Sequence, residues 1–280
     1  MEKEKIQEIE VNLLLDALFF RYGYDFRNYD RNSLTRRILK CLETCTFQHV
    51  SEIIPRLLYN GEFLTRLVHA LSVNTTEMFR DPLTFAALKE RVFPVLASYP
   101  FINIWHAGCA TGEEVYSLAI LLHEAGLLRH ARIYATDMDE EVLAKAQEGV
   151  YSIDHLEKFE ENYLQAGGIH QLKAYISIGY GLFRIDDRLR QQMIFANHNL
   201  VTDGVFAEIH LLLCRNVLIY FNATLRERAF RLFCDSLGRG GFLCLGSSES
   251  LPPPEWKLSF APVAPRERIF RKMPLLEPPA

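Results

Sequence analysis

The residues of this chain best able to do chemistry are His106-Ala107-Gly108-Cys109-Ala110-Thr111-Gly112-Glu113-Glu114. An apolar run, Phe101 to Trp105, precedes them, and an apolar-periodic run, Val115 to Leu122, follows. That is the strand, glycine turn and helix that open a nucleotide-binding α/β sheet. A phosphate-binding turn keeps backbone N–H groups for an anion, often beside a Lys or Arg. Here two carboxylates stand in that place, which repels a pyrophosphate and attracts a cation. S-adenosylmethionine, with a sulfonium and an ammonium, fits such a turn better than NAD or ATP. Neither G-x-G-x-x-G nor G-x-x-x-x-G-K-S/T occurs in the chain. Thr111 and Glu114 have capping-box spacing, so Glu114 is read as a helix cap and Glu113 as the functional acid.

Ligands of an open α/β sheet lie outside the carboxyl ends of its strands. The second apolar run, Arg132 to Thr136, ends in Asp137. Its carboxylate can accept both hydroxyls of a ribose, while Asp139 is the better cap for the helix that follows. A third run, Met193 to Ala196, leads into Asn197-His198-Asn199-Leu200. Asn199 suits an adenine edge, or is a turn residue. A fourth, Ile209 to Cys214, ends in Arg215-Asn216. A buried guanidinium needs a carboxylate, from the protein or from a ligand. Tyr220 follows as a site residue or a core aromatic.

The bulk numbers narrow the classes. The 280 residues are 49% hydrophobic and 24% charged, with a net charge of −4. That gives no global electrostatic case for nucleic acid or anionic lipid. The first ten residues are charged and unlike a signal peptide. The longest apolar runs are too short to span a bilayer, so no membrane insertion is expected. Six scattered cysteines suit the reduced thiols of a cytoplasmic protein. Cys41/Cys45 and His106/Cys109 are single pairs without partner ligands, so no metal is expected.

Periodicity predicts helices over the first 75 residues: Ile6 to Phe20, Ser33 to Cys45, one capped by Ser51 and ended by Asn60-Gly61, and Glu62 to Leu71. A polar connection, Ser72 to Pro82, leads to a helix from Leu83 to Ala97. Alternating strands and helices follow. They include a helix from Glu140 to Gln147, another from Thr224 to Leu237, a fifth strand from Gly241 to Leu245, and two strands near the end, Trp256 to Phe260 and Arg268 to Arg271. An insertion holds a helix, Asp154 to Leu164, and a hairpin turning through Gly179-Tyr180-Gly181. The predicted division is a helical domain (1–75), a linker and connecting helix (76–97), an α/β domain (98–274) with a β-insertion (151–192), and a loose tail (275–280).

Four segments carry a resemblance: Asn74-Thr75-Thr76-Glu77-Met78-Phe79-Arg80-Asp81-Pro82, Gly108 to Ser117, Ala135-Thr136-Asp137-Met138-Asp139, and Cys214-Arg215-Asn216-Val217-Leu218-Ile219-Tyr220-Phe221. In this order they resemble the chemoreceptor glutamate methyltransferases, the CheR family. The resemblance spans roughly residues 30 to 272. It implies a helical N-terminal domain joined to a Rossmann-like S-adenosylmethionine-dependent methyltransferase domain with a small antiparallel β-subdomain. It implies that Asn74, Thr76, Arg80, Glu113, Asp137, Asn199, Leu200, Arg215 and Asn216 bind the cofactor, and that Arg80 and Tyr220 flank the methyl group and the incoming glutamate. Val115, Ala110 and Met78 depart from the usual proline, serine and aromatic without removing a polar contact.

The implied reaction is transfer of a methyl group to a glutamate side chain, giving a methyl ester and S-adenosylhomocysteine. A glutamate is already ionised at neutral pH, so the reaction needs positioning and desolvation in place of a general base. The implied partner is the cytoplasmic coiled coil of a methyl-accepting receptor, met by a basic patch at Arg36, Arg37 and Lys40 or, failing that, by no more than a solvated helix face. Some family members dock on a receptor-tail peptide through a longer loop. The short hairpin here suggests a tether-independent enzyme. The rival readings are the same chemistry on another signalling protein, a cofactor-binding regulatory module without turnover, and an NAD-dependent oxidoreductase, which the acidic turn disfavours.

Overall fold

The computed structural model describes residues 2–72, 76–251 and 259–273. Its first part is helical: α1 (Glu2–Tyr22), α2 (Arg31–Thr44), a 3-10 turn at Val50–Glu52, α3 (Ile53–Tyr59) and α4 (Gly61–Leu71). Asp30 caps α2 through Ser33 N, so that helix starts two residues before the expected Ser33. Ser51 lies inside the 3-10 turn instead of capping α3, and Asn60 ends α3 while capping α4 through Phe63 N. Leu14, Leu18, Leu34, Ile38, Ile53, Leu57, Leu67 and Leu71 form the core of this part.

The connecting helix is not continuous. It runs as α5 (Pro82–Ala87), a π-turn at Leu88–Val92, and α6 (Phe93–Leu96). Pro94 has no N–H for the carbonyl of Glu90, and its ring crowds that turn. The backbone widens by one residue, and Phe93 N bonds Leu88 O.

The remainder builds the sheet: β1 (Ile102–Ala107), α7 (Glu113–Glu124), β2 (Ala131–Asp137), α8 (Glu140–Glu148), β3 (Val150–Ser152), α9 (Leu156–Gln165), β4 (Ile176–Gly179), β5 (Leu182–Ile185), α10 (Asp187–Arg190), β6 (Met193–Asn197), β7 (Ile209–Cys214), α11 (Ala223–Ser236), β8 (Leu237–Leu245), β9 (Phe260–Ala264) and β10 (Ile269–Lys272). Seven strands lie in the order β6-β2-β1-β7-β8-β10-β9. β6, β2, β1, β7 and β8 are parallel, and β10 and β9 close one edge antiparallel. Strand order reverses on either side of β1, which opens a crevice above β1 and its neighbour β7.

The sheet is buried on both faces. Ile104, Ile133 and Leu211 meet α7 residues on one face; Trp105, Leu212 and Leu243 meet α11 residues on the other. Such two-sided burial produces the continuous apolar runs seen in the sequence. A three-stranded antiparallel sheet, β3-β5-β4, forms the insertion. β3 escapes prediction because only three residues pair. The hairpin turns through Tyr180 and Gly181, both at positive φ (54° and 74°), as a two-residue connection requires. Residues 252–258 and 274–280, which include most of one expected strand and the expected tail, lie outside the described residues.

Candidate active site

The β1–α7 turn fixes the floor of the site. Gly108 and Gly112 adopt φ of +78° and +89°. A Cβ on Gly108 would stand 2.5 Å from Val217 Cγ2, so only glycine fits there. Gly108 N and Cys109 N donate to Thr136 O (2.8 and 2.9 Å), and Ala110 N donates to Asp137 Oδ2 (2.9 Å). These N–H groups are engaged by the protein and do not form an anion nest. Asp137 Oδ1 accepts from Asp139 N (3.1 Å), while Asp139 caps α8. Burial raises the Asp137 carboxyl to about 6 against the pull of those N–H donors. Each of its oxygens keeps a lone pair for a diol.

The two acids of the turn have different partners, and neither caps the helix. Gly112, not Thr111, is the N-cap, and no side chain caps α7. Thr111 Oγ1 donates instead to Glu113 Oε2 (2.7 Å), and burial raises Glu113 to about 7. Glu113 does not line the cavity, whereas Glu114 does. Glu114 Oε2 accepts from Arg215 Nη1 (2.6 Å), and its Oε1 lies 3.4 Å from His106 Nδ1. Burial alone would raise this carboxyl; Arg215 and His106 outweigh it and hold Glu114 at about 2.

Arg215 therefore finds its carboxylates within the protein. Its side chain is fully buried, and Nη2 also donates to Asp81 Oδ2 (2.8 Å) and Arg80 O (3.0 Å). This ties the end of β7 to α7 and to the turn before α5, where Phe79 and Asp81 have positive φ. Phe79 N donates to Ser117 Oγ (2.8 Å), which anchors that turn to α7.

The cavity brings together Thr76, Arg80, Gly108, Asp137, Asn199, Leu200, Arg215, Asn216 and Tyr220 from the residues singled out in the sequence. Asn74 lies outside the described residues. Asn199 Oδ1 accepts from Val201 N (2.9 Å), so its carbonyl serves its own turn and its amide N–H groups remain for a ligand. No hydrogen bond or ion pair engages the Arg80 guanidinium among the described residues, although its backbone carbonyl is bound.

Several residues of the site carried no signal singled out in the sequence. Glu249 is buried and accepts from Gly246 N (2.7 Å), Asn216 N (3.1 Å) and Ile219 N (3.2 Å). It thus holds the loop between β7 and Tyr220, in which Asn216 has φ +60°. The signal was its place just after the apolar end of β8. Tyr29 and Arg37 come from the helical part and also line the cavity, with Met138, Val217 and Phe221 adding apolar wall. The basic patch consequently divides. Arg36 and Lys40 are exposed, but Arg37 is half-buried and stacks over the Tyr220 ring at 5.1 Å.

These features suit S-adenosylmethionine: a diol acceptor at Asp137, apolar walls, and a glycine turn too tight for any side chain. They suit a pyrophosphate less well, because the N–H groups of Gly108, Cys109 and Ala110 are already engaged. No group of three or more His, Cys, Asp or Glu residues could hold a metal among the described residues.

Comparison with known proteins agrees. The family descriptions "CheR methyltransferase, all-alpha domain" and "CheR methyltransferase, SAM binding domain" match residues 9–72 and 74–264. The chain is 45% identical over 272 residues to a Pseudomonas putida protein named "Putative methyltransferase Cher3", covering 97% of this chain and 100% of that one. It is 32% identical to the "Chemotaxis protein methyltransferase" of Listeria innocua over 83% of this chain and 86% of that one. It is 29% identical to "Chemotaxis protein methyltransferase 2" of Vibrio cholerae over 84% and 83%. The fold and site are those of an S-adenosylmethionine-dependent methyltransferase. The chain belongs to the CheR family.

Proposed function

We propose that the protein methylates glutamate side chains on the cytoplasmic coiled coil of a chemoreceptor-type signalling protein. The observation that carries this reading is Arg80, a guanidinium without a carboxylate partner among the described residues, lining the same cavity as Tyr220. A carboxylate acceptor supplies what Arg80 lacks, and an apolar or amine acceptor does not. Bound S-adenosylmethionine supplies an electrophilic methyl group, which an ionised carboxylate takes without losing a proton. Arg80 and the Tyr220 hydroxyl orient the acceptor oxygen, and no residue needs to act as a base. Arg80 orients best as a single cation, since tighter charge pairing would hold the acceptor in its ground state. Val217, Phe221 and Leu200 exclude water from the crevice. Asp137 accepts the ribose hydroxyls, and Asn199 and Leu200 flank the base.

Arg36 and Lys40 are exposed on α2 and favour an acidic receptor helix as the partner. The two-residue hairpin between β4 and β5 supports an enzyme that needs no receptor-tail tether. No helix of the described residues is long and apolar enough to cross a membrane. The receptor's cytoplasmic coiled coil, as the proposed partner, implies a cytoplasmic reaction. The test uses purified receptor signalling domains and methyl-labelled cofactor. Base-labile label, released as methanol, is expected on the receptor. Stable label, or label on amines, would overturn the reading.

A further inference from the structure

The helical part does more than cover the crevice. Asp30 N donates to Tyr220 O (2.7 Å), Asn222 N donates to Asn28 O (3.0 Å), and Tyr29 bridges Phe221 as an antiparallel β-pair. Their rings meet at 5.0 Å. One side of the Tyr220 segment is thus held by backbone from the other domain. Eight residues from this bridge along the chain, Arg37 closes over the ring itself.

Arg37 makes three attachments at once. Nη2 donates to Ser33 Oγ one turn earlier on α2 (2.8 Å). Nη1 donates to the carbonyl of Leu71, the last residue of α4, where a cation also complements the helix dipole. The guanidinium carbon lies over the Tyr220 ring, 5.1 Å from its centre. Leu71 immediately precedes the connection that leads to Thr76 and Arg80. One planar cation therefore links the Tyr220 ring to the C-terminal end of α4.

We propose that Arg37 is a positioning residue for Tyr220 and not a docking cation for the acidic partner. This rests on the methyltransferase reading above and deepens it. A docking cation must offer its N–H groups to the partner, whereas those of Arg37 are directed to Ser33 and Leu71. A lysine cannot replace it, because a point charge lacks the planar fork that stacks and donates in two directions.

The test compares Arg37→Gln and Arg37→Lys with wild type and Tyr220→Phe, using receptor-domain methylation at low and high salt. S-adenosylhomocysteine affinity by calorimetry and thermal unfolding identify folded variants. Arg37→Gln and Arg37→Lys are both expected to lower kcat by 10-fold or more, with acceptor KM changed less than threefold and no added salt dependence. Adding Tyr220→Phe to Arg37→Gln should cost far less than the product of the single effects. A raised, salt-sensitive KM with unchanged kcat, rescue by lysine, or strict additivity overturns the proposal. Should Arg37→Gln not fold, Ser33→Ala removes one attachment only, and an unchanged kcat there also overturns it. Should wild type methylate no receptor domain, the methyltransferase acceptor reading fails by itself. The positioning claim is then decided by the crystal structure of Arg37→Lys, in which a displaced Tyr220 ring supports it and an unmoved ring refutes it.

Discussion

Asp137 carries the sharpest consequence at the scale of single residues. Its carboxyl is raised to about 6 because burial disfavours its charge. In the proposed site the ionised form accepts the ribose hydroxyls, so cofactor affinity should fall as pH drops through about 6, and Asp137→Asn should remove this dependence. The asparagine variant should bind S-adenosylhomocysteine about 10- to 100-fold more weakly at pH 8, the loss of charged hydrogen bonds, as read by calorimetry. The stability effect has the opposite sign. A carboxyl with a raised folded pKa favours the native state at low pH and loses that contribution as pH rises toward 6, so the ligand-free variant should melt no lower than wild type at pH 8. Glu114 behaves inversely, since Arg215 holds it at about 2. Its contribution is present above the ordinary glutamate range and disappears as pH falls toward 2.

Among the elements, the β1–α7 turn shows how sequence and structure diverge. Strand and helix types were legible because two-sided burial leaves long apolar runs and α7 has a strong apolar stretch. The polar residues after β1, β2, β6 and β7 were legible for the same reason. The partners of the two acidic residues were not legible in the sequence. Glu114 is paired with Arg215, and Glu113 accepts from Thr111. What disfavours a pyrophosphate is that the N–H groups of Gly108, Cys109 and Ala110 are already engaged by Thr136 and Asp137. Pairings between distant segments have no local signature, and this is why Arg215–Glu114, the Glu249 clamp and the inward turn of Arg37 were invisible. The turn itself is testable. Gly108→Ala places a methyl against Val217 and adds positive-φ strain. It should destabilise the protein by about 1–3 kcal/mol and weaken cofactor binding. Adding Val217→Ala should restore part of the affinity and little of the melting temperature, since only the clash is relieved.

For the whole molecule, the site belongs to two domains. Tyr29 OH lies 3.8 Å from Met138 Sδ, and His69 Nδ1 lies 2.9 Å from Asp139 Oδ2, so helical and α/β parts meet at the two residues that follow Asp137. A ligand filling that crevice should tighten both. Hydrogen exchange is expected to slow at residues 28–37 as well as at 108–113 when S-adenosylhomocysteine binds. Protection confined to the α/β part would make the helices bystanders.

The bridge between Asn28 and Asn222 joins residues 194 positions apart. On a ribosome adding about 5–20 residues per second, the helices emerge about 10–40 s before the segment they clasp. Throughout that interval Tyr29 lacks Phe221, and until Met138 is made, 109 residues on, it lacks that contact as well. The crevice is thus finished late in the life of the nascent chain, and a translation pause before residue 222 would prolong the exposure of an aromatic edge to chaperones.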